Sequence, residues 1–80
     1  MIKVISALPK DNYQILIKLS NGKEGKFDVS PYLEKGIFQE LKDKNYFSQV
    51  KIVFGGIAWP HSQDFSSDTI ECELKELELA

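Results

Sequence analysis

Over the first third of the chain, apolar and polar side chains alternate with the two-residue period of half-buried strands. Three Val/Ile-rich stretches, Ile2–Leu8, Tyr13–Leu19 and Lys23–Val29, are separated by the turn clusters "PKDN" and "SNG" and predict an antiparallel meander. In the second stretch Tyr13, Ile15, Ile17 and Leu19 share one face, and in the third Gly25, Phe27 and Val29 alternate with Glu24, Lys26 and Asp28. The alternation also sets register. A two-residue Asn21-Gly22 loop would put Ile17 opposite Lys26 and Ile15 opposite Asp28, mixing core with solvent. A three-residue Ser20-Asn21-Gly22 loop sets Ile17 opposite Gly25 and Ile15 opposite Phe27, with Gly22 at the left-handed position of a type I turn with a bulge.

The period then changes. "SPYLEKGIFQELKDKNYFSQV" has helix-start signals at Ser30-Pro31 and at Asp43, and is interrupted by Gly36, which predicts short helical turns rather than one long helix. Tyr46, Phe47 and Val50 follow as expected core residues. "VKIVFGGIAW" reads as a second hairpin turning at Gly55-Gly56, with Phe54 opposite Ile57 and Ile52 opposite Trp59, all four on one apolar face. The segment "SSDTIECELKELELA" predicts a helix starting at Ser66 or Ser67, with Ile70, Leu74 and Leu77 as its buried stripe. The expected architecture is α+β, in one small domain over residues 1–80: an N-terminal antiparallel β-meander, short helical turns, a second β-hairpin and a C-terminal amphipathic helix.

Composition narrows the range of functions. Eighty residues support one marginal core, and a large catalytic cavity would remove contacts that such a core needs, so no enzymatic activity is expected. The formal net charge is −2 and all ten basic residues are lysine; without clustered cations or arginine forks, nucleic acid is not an expected partner. A DNA-linked regulator would need Lys18, Lys23, Lys26, Lys42, Lys44 and Lys51 on one face. The negative charge lies at the end of the chain, where five acids against Lys75 give −4 for residues 66–80. A lone Cys72 excludes an internal disulfide, and with one histidine it leaves few ligands for zinc; no metal and no cofactor are expected. The opening "MIKVISALP" is too short an apolar run for a signal peptide, and nothing approaches a membrane span. A cytoplasmic protein is the expectation.

Chemistry-bearing residues concentrate in "GGIAWPHSQDFSSDTIE", where Trp59, Pro60, His61 and Asp64 are the candidate binding residues. Trp59 falls on the apolar hairpin face, so it reads as a core residue, with a rim aromatic as the functional alternative. Pro60 ends strand pairing because it lacks an N–H. His61 sits on a polar turn and is the one side chain expected to titrate near neutrality. Asp64 is expected to accept backbone N–H groups in the turn before the helix. A Ser62-His61-Asp64 triad lacks nucleophile-elbow glycines and reachable geometry, and His61, Asp64 and Cys72 lack a recognised metal-ligand spacing. An enzyme using His61 and Asp64 is kept as an alternative that requires these groups to converge.

The residues "WPHSQD", preceded by a Gly-Gly hairpin and followed by a Ser/Asp-led helix, resemble the signature of the bacterial domain-of-unknown-function family 2442. The resemblance extends over "ILIKLSNGKEGKFDV" and "FQELKDKNYFSQVKIV". The family shows Trp-Pro-Asn-Gly-x-Asp at this turn; Trp59, Pro60 and Asp64 match, His61 and Ser62 depart, and serine in place of glycine argues against a left-handed backbone at Ser62. The resemblance implies a small α+β fold without established enzymatic activity, sometimes preceding a helix-turn-helix domain. It also implies genes beside small partner genes, the association behind an antitoxin-like or adaptor role. A noncatalytic protein-interaction domain with a small protein partner is therefore expected, acting through the acidic helix or the Pro60–Asp64 turn. Its own state is monomer or weak homodimer, the dimer resting on a stripe of Cys72 and Leu79 opposite the core face of the helix.

Overall fold

The structure, a computed structural model, describes residues 1–76. Strands β1 (Val4–Lys10), β2 (Gln14–Leu19) and β3 (Glu24–Asp28) form the expected meander, and β7 (Lys75–Glu76) adds to β3. Ile15 pairs with Phe27 and Ile17 with Gly25, the register that the alternation requires. Gly22 turns the chain at φ +91°. Leu19 N–H donates to the Lys23 carbonyl and Gly22 N–H to the Leu19 carbonyl, at 2.8 and 3.0 Å. Ile15, Ile17, Leu19, Phe27 and Val29 are fully buried.

The middle segment forms short helical turns: a 3-10 turn at Ser30–Tyr32, a 3-10 segment at Gly36–Lys42, and α1 (Lys44–Phe47). Gly36 breaks the run at φ +45°, and the Asp43 carboxylate caps α1 by accepting Asn45 N–H at 2.9 Å. A second sheet, in the order β4-β5-β6, consists of β4 (Lys51–Val53), β5 (Gly56–Ala58) and β6 (Asp64–Phe65). The two sheets touch where Val4 N–H donates to the Gly55 carbonyl at 2.7 Å. Phe65 joins their cores, with its ring 4.9 Å from both Phe27 and Tyr32 and 5.1 Å from Phe38.

The second hairpin departs from the expected register. Ile52 pairs with Ile57 and Val53 with Gly56, so the turn is Phe54-Gly55, at φ +50° and +79°, the positive φ at both central residues that a type I′ turn requires. Gly56 is needed in the strand instead: a Cβ there would lie 2.4 Å from the Phe65 carbonyl oxygen of β6. Ile57 and Trp59 face the core as expected, whereas Ile52 is half exposed and Phe54 fully exposed.

The C-terminal helix is also shorter than its apolar period predicts. Ser66 caps α2 (Ser67–Glu73), accepting Thr69 N–H through its hydroxyl, and Ile70 is its buried residue. Leu74 is extended, and the chain then pairs through Lys75 and Glu76 with Lys26 and Gly25. Strand pairing wins because Gly25 lets β7 approach; a Cβ at Gly25 would lie 2.3 Å from the Lys75 carbonyl oxygen. Cys72 is exposed on α2. The expected helical positions Leu77 and Leu79, and with them the Cys72–Leu79 stripe, lie outside the described residues. Tyr32 fastens this end: its hydroxyl donates to Glu73 Oε2 at 2.5 Å. That bond and partial burial push the phenol up to about 12. No helix among the described residues is long and apolar enough to cross a membrane.

Candidate functional site

The Trp59–Gln63 loop repeats the architecture of the Leu19–Lys23 loop. Trp59 N–H donates to the Gln63 carbonyl at 2.9 Å and Ser62 N–H to the Trp59 carbonyl at 3.2 Å. The residue at the left-handed position is Ser62, at φ +79°. The reading that serine argues against this backbone is therefore corrected: the paired Trp59–Gln63 frame holds the geometry against the steric preference of an L side chain.

Trp59 is buried, 4 % exposed, with its indole N–H donating to the Phe47 carbonyl at 2.9 Å. Pro60 is exposed and follows the end of β5. His61 lies over the Tyr46 ring, with centroids 5.2 Å apart and planes 28° apart. Its Nδ1 is 2.6 Å from Glu40 Oε2; a carboxylate accepts, so Nδ1 donates in this contact. Asp64 lies exposed on β6 rather than in a capping turn. Its carboxylate takes no backbone N–H among the described residues, because Ser66, two residues on, caps the helix.

At the centre of the loop is a residue that sequence reasoning passed over. Gln63 is 1 % exposed, and its carboxamide ties three elements together. Tyr46 Oη donates to Gln63 Oε1 at 2.6 Å, while Gln63 Nε2 donates to the Ile37 carbonyl at 2.9 Å and to Glu40 Oε1 at 3.0 Å. Tyr46 Oη also accepts the His61 backbone N–H at 2.8 Å. The network Tyr46–Gln63–Glu40–His61 satisfies each buried polar atom, which makes it an anchor for the loop. One signal for Gln63 was present: it stands two residues before apolar Phe65, the spacing of positions that share a face in extended chain. Glu40 had no such signal, since its role arises from contact between distant segments.

The structure does not bring His61 and Asp64 together as one site. Asp64 instead borders a hollow of about 240 Å³ shared with Val53, Phe54, Ser66 and Ser67. Trp59 and Pro60 border a second hollow, of about 230 Å³, which also meets Val53. Between them the hairpin presents Phe54 fully exposed, with Ile52 and Val53 about 40 % exposed. Of the lysines that a DNA-linked regulator would need on one face, Lys18, Lys23 and Lys42 pair with Glu24, Glu76 and Glu34 at 3.6, 3.8 and 2.8 Å. Among the described residues no group of three or more His, Cys, Asp or Glu side chains converges as a metal cluster.

The family described as "Protein of unknown function (DUF2442)" matches residues 4–76, nearly the whole chain. The chain belongs to the DUF2442 family. No curated protein and no solved structure matches it. Within this DUF2442 chain, the matched region takes in both sheets, the Trp59–Gln63 loop and its polar anchor.

Proposed function

We propose that this DUF2442 domain acts by binding another protein, not by catalysis, and that the β4–β5 hairpin is the contact. The observation that carries the reading is Phe54, a fully exposed phenylalanine held at φ +50° on the hairpin tip. Glycine or asparagine would occupy that backbone with less strain. An aromatic side chain there stays in water and gains no packing within the domain, but it has the size and rigidity of an interface anchor. Ile52 and Val53 extend the apolar surface, and Asp64 places an acid on the adjoining hollow.

The partner that fits is a protein with an apolar pocket for Phe54 and a basic rim facing Asp64, so association weakens as salt rises. An antitoxin-like or adaptor role is one form of such binding. A photo-crosslinking amino acid at position 54, introduced in the source cells, tests the reading. One discrete heterologous adduct, absent when the crosslinker is at exposed Lys26, is the expected result. No discrete adduct, or the same adducts from both positions, overturns it.

A further inference from the structure

The turn between β1 and β2 carries a second cluster of unusual features. Asn12 and Tyr13 are consecutive non-glycine residues in the left-handed region, at φ 61° and 58°. Such strain persists where surrounding contacts over-determine it. Tyr13 has three of them. Its carbonyl accepts Val29 N–H at 2.9 Å, its hydroxyl donates to the Lys42 carbonyl at 2.5 Å, and its ring meets Phe47 edge-on at 5.5 Å. The strained turn thereby holds an aromatic wall beside α1.

Between turn and helix lies a cleft of about 290 Å³, walled by Pro9, Tyr13 and Phe47 and rimmed by Lys10, Lys44 and Asp11. Lys10 and Lys44 reach this rim from the end of β1 and the start of α1. Among the described residues neither has a carboxylate in ion-pair contact, whereas Lys18, Lys23 and Lys42 do. We propose that this cleft is a binding site for a small aromatic carboxylate. The ring would lie against Pro9, Tyr13 and Phe47, and the carboxylate would take the two ammonium groups. The volume is near the lower end of ligand pockets, about 300 Å³, and suits a single ring. Asp11 opposes the anion, so the site is tuned by two positive charges against one negative. The cleft shares no lining residue with the hollow beside Phe54, and the proposal stands independently of the protein-binding reading.

Benzoate titrated into the isotopically labelled full chain, with benzyl alcohol as the neutral control, tests the site by amide chemical shifts. The amides of Asn12, Tyr13, Phe47 and Ser48 should move together and saturate. The preference for benzoate should be about tenfold, and Lys10→Gln and Lys44→Gln should each weaken binding about threefold, as expected for exposed charge contacts. Asp11→Asn should tighten binding by a similar factor, a gain that loss of folding cannot imitate. Unsaturable shifts, an equal response to benzyl alcohol, or no tightening in Asp11→Asn would overturn the proposal.

Discussion

Ser62 shows how a single backbone angle separates what the loop requires from what its sequence provides. Both three-residue loops need a left-handed third residue, and Gly22 and Ser62 supply it at φ +91° and +79°. An L residue in this region costs about 1–2 kcal/mol, while glycine adds about 0.5–1 kcal/mol of unfolded-state entropy. Ser62→Gly should therefore stabilise the domain by up to about 1 kcal/mol, measured as a higher urea midpoint; a lower midpoint would mean that the serine side chain supports the loop. Trp59→Ala acts in the opposite direction. It removes a buried aromatic and leaves the Phe47 carbonyl without its indole donor, so a loss of about 3–5 kcal/mol is expected, enough to unfold a domain of this size. His61→Ala, at an exposed ring, should shift the same urea curve little.

At the scale of elements, Gly25 and Gly56 serve close approach. Each faces a carbonyl oxygen of the neighbouring strand, within 2.4 Å of where a Cβ would sit. Gly25→Ala should push β7 from β3 and cost about 1–3 kcal/mol by overpacking, with earlier hydrogen exchange at Lys26 and Lys75; unchanged exchange would contradict this role. The Tyr32–Glu73 bond gives this end of the fold a pH dependence. The folded phenol titrates at about 12 rather than 10.0. Its contribution is therefore complete below the unfolded value and is lost as pH rises from about 10 to about 12. The measurement is the stability difference between the native protein and Tyr32→Phe, which should shrink across that window. A constant difference would remove the phenol as the cause.

Across the whole molecule, the legible parts were those governed by local period. The side chains of β2 and β3 alternate cleanly, so Ile15 and Phe27 could be paired from sequence. Gly36 and Asp43 marked the short helical turns in the same local way. The hairpin register was not legible, because "FGG" offers two turns and the choice depends on the Phe65 carbonyl, which lies across β6. The end of α2 was hidden for a similar reason: Leu74 fits a helical stripe, but β3 offers an edge and Gly25 the room to pair. In the candidate site, burial of Trp59 followed from pattern, whereas the Gln63–Glu40 link required tertiary contact. The shifted hairpin register is what leaves Phe54 outside the core, and the functional account rests on that residue. Its direct test is Phe54→Gly, measured for urea stability and for affinity toward the partner recovered by crosslinking. Relief of the positive φ predicts a stability raised by up to about 1 kcal/mol, read as a higher urea midpoint, together with binding weakened by about tenfold or more, as for loss of an interface anchor. A variant that is more stable and binds with undiminished affinity would contradict the account.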